Sequence, residues 1–397
     1  MQKPTILTFS DYYLPGCKAG GPIPSIANLV KRLSDEFAFQ IVTRDRDLGS
    51  QSPYEGCPKN TWKSVGSSQV LYLQPNQLRF NSIVKLLRTT PHDVIYLNSF
   101  FSRPFSMFPL LSACLGFVTP SPTVLAPRGE CSVAALKRRS WAKASYIAFA
   151  RRILPRSGVV WQASSQFEAL DIRRQFKSAN VQVASDLPPP PPPAPKRSCR
   201  KDAGRAKILF LSRIHPIKNL DGAIEMLRGV PGEIEFNVFG PLEDPQYWER
   251  CQLLAQQLPS TITMRYRGSV ERSQVDSVMR DHDLLLLPTR GENFGHVILE
   301  ALLAGTPALI SDQTPWQNLD LSGVGWDLPL CRLDAFRDAM TSIVAMDEEG
   351  RSQMAARTWQ YGREFCRDDA LVTQNRCLFR SALEPPRQKA VLSHRVA

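Results

Sequence analysis

No window of this sequence reaches the roughly 18 uninterrupted apolar residues that a membrane span needs. The best candidate, residues 105–118, is short and contains Pro109. The first residues, Met-Gln-Lys-Pro-Thr-Ile-Leu-Thr-Phe-Ser, lack the apolar core of a signal peptide and read as a first strand, so a cytoplasmic protein is expected. Nine cysteines are scattered from Cys17 to Cys377 without a Cys-x-x-Cys pair, and the five histidines form no cluster. Neither a zinc site nor a disulfide framework is indicated, and reduced, structural thiols are expected. No internal repeat is visible beyond the architecture that the two halves share.

What is present is a chain of 397 residues, long enough for about two domains, with 43% apolar residues to bury. Its net charge of +12 is unevenly placed. Residues 1–186 hold 23 Lys/Arg against 11 Asp/Glu, residues 187–206 hold 5 against 1, and residues 207–397 hold 21 against 25. A basic half joined to a slightly acidic half implies that only the first meets something anionic.

The boundary is marked by six consecutive prolines, Pro188 to Pro193, which form neither helix nor sheet and favour a stiff extended spacer. Before it, β-like runs at 5–9, 40–43, 94–98, 123–126 and 158–162 alternate with helical patterns. After it, strands are expected at 207–212, 233–240, 261–267, 283–288 and 307–311, with helices between them and three closing helices at 333–345, 352–365 and 369–383. The short, continuously apolar run Asp283-Leu-Leu-Leu-Leu-Pro288 is what a parallel sheet covered on both faces requires. The expected division is an N-terminal Rossmann-like domain at 1–186, a Pro-rich basic linker at 187–206, a C-terminal Rossmann-like domain at 207–365, and at 366–397 a helix returning to the first domain, then a disordered tail. Both halves read as doubly wound α/β domains.

Ligands of such sheets bind beyond the carboxyl ends of the strands. There, Arg213 and Lys218 stand five residues apart on a loop leading into a helix, which makes either a diphosphate clamp or two solvated cations. After the run ending at Pro288 comes Arg290-Gly-Glu-Asn-Phe-Gly-His-Val-Ile-Leu-Glu300. Gly295 lets backbone pass close to a ligand, and the N–H groups of Phe294, Gly295 and His296 open a helix toward anionic oxygens. Glu292 and Glu300 are eight residues apart, roughly 12 Å if helical, which is too far to flank one glycosidic bond and fits two grips on a long ligand. In the first half, Gly20 and Gly21 precede a proline-started helix and suit either a phosphate approach or an ordinary tight turn.

Assembled, the second half resembles the donor domain of glycosyltransferase family 4, retaining enzymes of the GT-B fold. The motifs that carry the resemblance are Phe210-Leu-Ser-Arg-Ile-His-Pro-Ile-Lys218-Asn-Leu-Asp, Val238-Phe-Gly-Pro241, Tyr266-Arg-Gly-Ser-Val270 and Glu292-Asn-Phe-Gly-His-Val-Ile-Leu-Glu300-Ala-Leu-Leu-Ala-Gly305-Thr-Pro307. The first half, with Tyr13-Leu-Pro-Gly, Ala19-Gly-Gly-Pro22 and Ala126-Pro-Arg-Gly-Glu130, is more loosely similar to bacterial exopolysaccharide members of that family. The resemblance implies two Rossmann-like domains facing across a cleft that holds a UDP- or GDP-sugar, with a glycan or polyprenyl-diphosphate-linked saccharide as acceptor. It implies that Arg213 and Lys218 neutralise the diphosphate, that Glu292 holds the donor sugar and Glu300 the ribose, and that Gly240, Pro241, Gly268 and Val270 surround the base. No metal or other cofactor is expected, because the paired cations take the metal's role. Asn98 and Arg128 stand where relatives often carry His. Either can contact acceptor or donor sugar without titrating near neutrality, and strand capping or core packing is the alternative for Asn98.

Cations and apolar residues mix in residues 136–154, with Leu136, Tyr146, Ile147, Phe149 and Ile153 among the latter. The stretch permits a basic amphipathic helix lying on an anionic inner-leaflet membrane, or one whose apolar face packs on the sheet. Nucleic-acid binding is not expected, for no aromatic platform interleaves the cations. A sugar-nucleotide epimerase of the same fold is the remaining alternative to a transferase.

Overall fold

The computed structural model of the chain describes residues 3–58, 60–132, 135–136, 141–154, 158–194 and 200–384. These form two compact units, one built from the chain up to residue 186 and from 370 onward, the other from residues 187–369.

The first unit is an eight-stranded sheet in the order β3-β4-β2-β1-β5-β6-β7-β8. The strands are β1 (Thr5–Phe9), β2 (Ala38–Arg44), β3 (Trp62–Val65), β4 (Ser68–Leu73), β5 (Val94–Leu97), β6 (Thr123–Leu125), β7 (Val160–Ala163) and β8 (Asn180–Val183). All pairings are parallel except β3 with β4, an antiparallel pair turning at Gly66. The helix Pro22–Leu33, which connects β1 to β2, follows from chemistry: Pro22 sits where its missing N–H costs nothing, and Ile23, Ile26, Leu29, Val30 and Leu33 line one buried face. The closing helix Asp369–Leu383 packs here, with Phe379 5.7 Å from Phe37 and 5.3 Å from Tyr96 between ring centroids.

The second unit is a six-stranded, wholly parallel sheet in the order β11-β10-β9-β12-β13-β14. Its strands are β9 (Arg205–Leu211), β10 (Glu233–Phe239), β11 (Ile262–Tyr266), β12 (Leu284–Leu287), β13 (Ala308–Ser311) and β14 (Gly325–Leu328). The four leucines of β12 are fully buried, as a central strand with helices on both faces demands. In each unit the strand order reverses once, between β1 and β5 and between β9 and β12. A reversal of that kind splays the following loops apart and opens a crevice at the carboxyl edge.

The expected basic helix is present as Trp141–Ile153, while Lys137, Arg138 and Arg139 lie outside the described residues. Of its apolar residues, Ile147 is buried, and Tyr146 and Ile153 pack against the core of the first unit, as does Leu136 just before it. Phe149 is 40% exposed and Trp141 84%. Most of the apolar face is therefore used on the sheet. Among the described residues no helix is long and apolar enough to cross a membrane.

Candidate functional site

At the crevice of the second unit two loops meet. After β9 the chain passes Arg213 and makes the short turn Pro216–Lys218, in which the ring nitrogen Nδ1 of His215 accepts from the N–H of Ile217 at 3.2 Å. After β12 it passes Pro288, Thr289, Arg290 and Glu292. The Arg290 N–H donates to the Ile217 carbonyl at 2.7 Å, and the Thr289 hydroxyl donates to the same carbonyl at 3.1 Å. The ammonium of Lys218 then reaches the Glu292 carboxylate at 2.5 Å. Their side chains are 11% and 18% exposed, so each keeps a narrow face toward solvent. A third loop supports the second: the Glu292 N–H donates to the Gln313 carbonyl at 3.1 Å, and the Ser311 hydroxyl donates to the Thr289 carbonyl.

The glycines of the site answer to close packing. Gly240 has φ +138°, and a Cβ there would lie 1.8 Å from the Ser212 carbonyl oxygen. Its N–H donates to the Gly268 carbonyl, and the N–H of Ile214 to the Pro241 carbonyl, both at 2.9 Å, which draws the loops after β9, β10 and β11 together. Val270 packs at the edge of the unit's core. Gly295, with φ +81°, caps the helix His296–Leu303, and a Cβ on it would meet Ile298 Cδ1 at 2.8 Å. Phe294 is buried, its carbonyl accepting from the Trp316 indole N–H at 2.6 Å and its ring 4.6 Å from that of His296.

Not every residue singled out in the sequence joins the Lys218–Glu292 pair. Arg213 donates to both oxygens of Glu243, each at 3.0 Å, and is 47% exposed. Glu300 accepts from Arg272, which lies in the turn Arg272–Gln274 after β11. Glu243 and Arg272 were invisible as partners in the sequence, since each stands about 30 residues from the group it meets. Asn219 and Arg290 were also missed, although an asparagine opening a helix is itself a signal.

In the first unit, Gly20 has φ +72° and Gly21 caps the helix Pro22–Leu33. The Ser25 hydroxyl lies 2.8 Å from the Gly21 carbonyl and 2.6 Å from Asp186. Asp186 is ion-paired with Arg128, the two side chains 8% and 11% exposed. Arg128 also donates to the Tyr96 hydroxyl at 2.7 Å and to Asn98 Oδ1 at 2.8 Å. Its guanidinium is thus engaged within the protein. Because a guanidinium only donates, Asn98 must turn its oxygen to it, which leaves the buried Asn98 Nδ2 without a partner among the described residues. The arginine's left-handed backbone (φ 55°) is braced by two carboxylates. Glu168 accepts from the Gly129 N–H at 2.6 Å, and Glu130 accepts from the N–H groups of Phe100 and Phe101 at 2.5 and 2.9 Å. Burial pushes the Tyr96 phenol up to about 12 and raises the Glu130 carboxyl despite its backbone donors. Burial alone would lower the Arg128 value, but Asp186 and Tyr96 hold it above the ordinary arginine range.

Two doubly wound units of this kind define a GT-B fold, and solved structures of that class superpose on nearly the whole chain. Sucrose-phosphate synthase from Thermosynechococcus elongatus does so with a TM-score of 0.67 at 15% identity, over 96% of this chain and 99% of that one. Anabaena HepE in complex with UDP-glucose gives a TM-score of 0.64 at 15% identity, over 95% and 98%. Residues 194–358 match the family model of glycosyl transferases group 1. Among curated proteins, a D-inositol 3-phosphate glycosyltransferase of Xylanimonas cellulosilytica is 27% identical over 229 residues, which is 52% of this chain and 54% of that protein. The chain thus spans about half the length of this relative. An uncharacterised 41.2 kDa protein in the cps region of Klebsiella pneumoniae is 23% identical over 333 residues, 79% of this chain and 86% of that one.

Proposed function

We propose that the chain is a retaining glycosyltransferase that moves a sugar from a UDP- or GDP-sugar, held on the second unit, to a glycan or polyprenyl-diphosphate-linked saccharide in cell-surface polysaccharide synthesis. The observation that carries this reading is the meeting of Lys218 and Glu292 at the crevice between β9 and β12. When the glycosidic bond of a nucleotide sugar breaks, negative charge develops on the departing diphosphate. A preorganised ammonium beside it, with Arg213 on the same loop, stabilises that charge more in the transition state than in the ground state. Glu292 faces Lys218 through one oxygen and keeps the other for donor-sugar hydroxyls, and Glu300 takes the ribose hydroxyls. The departing phosphate receives the acceptor proton, so the reaction needs neither a protein nucleophile nor a metal ion. The match to the group 1 family and the UDP-glucose bound to Anabaena HepE support the donor class, and the cps setting of the Klebsiella relative supports a polysaccharide product.

A thermal-shift screen with UDP, GDP and their sugars tests the reading, since a ligand that binds the folded chain at 100 times its Kd stabilises it by about 2.7 kcal/mol. No shift with any nucleoside diphosphate would overturn it. Product analysis without acceptor separates transferase from epimerase: slow hydrolysis is expected, and net epimerisation of the donor would select the second. Turnover should persist in EDTA. Flotation with anionic liposomes tests contact with an inner-leaflet surface through the exposed Trp141, Phe149 and neighbouring cations.

A further inference from the structure

Lys218 carries its charge on a flexible four-carbon stem, so its direction depends on how its backbone is held as well as on the ion pair with Glu292. The two residues beside it in sequence are both fastened to the loop after β12. Ile217 is held through its carbonyl by Arg290 and Thr289, as described above. Asn219 is held through its side chain: Nδ2 donates to the Pro288 carbonyl at 2.9 Å, and Oδ1 accepts from the Arg290 guanidinium at 2.9 Å. A carbonyl only accepts and a guanidinium only donates, so the orientation of this amide, which is 4% exposed, is unambiguous.

Asn219 also turns the backbone. With φ 60° and ψ 44° it sits in the left-handed region, ending the turn Pro216–Lys218 and starting the helix Leu220–Leu227. Glycine would meet that backbone demand at least as well. The surrounding structure shows that the side chain is wanted too. One turn on, Gly222 has an ordinary helical backbone and no need of glycine's freedom. A Cβ on it would nevertheless lie 2.5 Å from Asn219 Nδ2 and 2.6 Å from Oδ1. The helix leaves out a side chain where the amide needs room, although glycine is unfavourable inside a helix.

We propose that Asn219 is the positioning residue of this site: its amide locks the loop after β9 to the loop after β12 and so sets Lys218 against Glu292, with Gly222 providing its space. The consequence for turnover rests on the donor-binding role given to Lys218, but the mechanical role does not.

The experiment compares Asn219→Gly and Gly222→Ala with the unaltered chain, each also in a Lys218→Ala background. The first readout is the rate at which a small acylating reagent labels Lys218 in the free protein, followed by mass spectrometry. If the joint holds Lys218, both variants should raise that rate by roughly 10-fold, the size expected for losing one or two hydrogen bonds. An unchanged rate in either folded variant would overturn the proposal, because glycine keeps the left-handed turn and removes only the amide. The second readout is kcat/KM for the donor. A loss of roughly 10-fold is expected in the unaltered background and none beyond that of Lys218→Ala alone, the non-additivity of residues acting through one group. Additive losses would show that Asn219 acts elsewhere and would also overturn it. If the unaltered protein binds neither UDP nor GDP, the donor reading falls, and the labelling rates alone decide on Asn219.

Discussion

Both units place charged side chains at the carboxyl edge of their central strands, yet they dispose of them differently. In the first unit Arg128, Asp186, Asn98 and Tyr96 close on one another, and the ion pair at their centre is about nine-tenths buried. In the second unit the acids stand closer to solvent, and so do two of the cations: Glu292 is 18% exposed beside a Lys218 as buried as Arg128 at 11%, Arg213 with Glu243 is at 47% and 27%, and Arg272 with Glu300 at 57% and 18%. A buried charge held by several partners, as Arg128 is by Asp186, Tyr96 and Asn98, contributes to the fold. One held by a single partner can exchange it for a ligand. Part of the basic excess of the first half is therefore spent on the fold or lies away from the crevice. Arg128 is matched by Asp186, while Arg151, Arg152, Arg173 and Arg174 lie on exposed helix faces.

Removing one cation from each unit should break this comparison most sharply. Arg128→Ala leaves Asp186 buried beside a vacated site, and losing one partner of a buried pair costs about 3–5 kcal/mol. Chemical denaturation should show that loss. Donor affinity measured well below the midpoint should stay as it was. Lys218→Ala should weigh the other way: turnover should fall by about 100-fold or more, the range for losing one oxyanion donor, with a smaller loss of stability than Arg128→Ala, because Glu292 at 18% exposure reaches water more easily than Asp186 at 8%. Arg213→Ala should follow the same pattern more weakly, by about 10-fold, since its half-exposed charge is screened by solvent and salt. If Arg128→Ala abolished donor binding while leaving stability intact, the assignment of the two crevices would have to be exchanged.

How much of this was legible depended on whether neighbours in sequence or neighbours in space decide. Strand β1 and the helices Leu333–Ala345 and Asp369–Leu383 were read from periodicity to the residue, and most central strands to within two residues. The strands missed are β3, β4, β8 and β14, of which β3, β8 and β14 lie at sheet edges. An edge strand has one paired side and less cover, so Asn180-Val-Gln-Val183 and Gly325-Trp-Asp-Leu328 carry polar residues that dilute the apolar run. The same logic governs the sites. Lys218, Glu292 and Gly295 could be found because they follow strands of the expected pattern. The partners of Arg128, Arg213 and Glu300 could not, because Asp186, Glu243 and Arg272 come from distant loops, and nothing local to Arg128 shows that its guanidinium is engaged within the protein.

The smallest effect is also the one that separates the units by sign. His282 is buried in the second unit, its Nδ1–H donating to the Val278 carbonyl at 2.6 Å and its Nε2 accepting from Asn237 at 3.1 Å. Burial holds its pKa below the ordinary value of 6.5, outweighing the favourable Val278 carbonyl and Asp283 and opposed to them along with Lys207. Its folded form thus refuses a proton that the unfolded chain accepts, and stability present above pH 6.5 is lost as the pH falls below it. Glu130 in the first unit behaves oppositely. Its folded pKa is raised by burial, so the folded form takes up the proton first, and the strain of a buried carboxylate is relieved as the pH falls through that raised value toward 4.5. Each group contributes at most about 1.4 kcal/mol per pH unit. Between pH 7 and 5, amide exchange corrected for its intrinsic rate should therefore quicken in β9 and β10 relative to β1 and β5. His282→Gln, which cannot charge, should remove most of the difference, whereas equal slopes in the two sheets of the unaltered protein would show that neither buried group governs its unit.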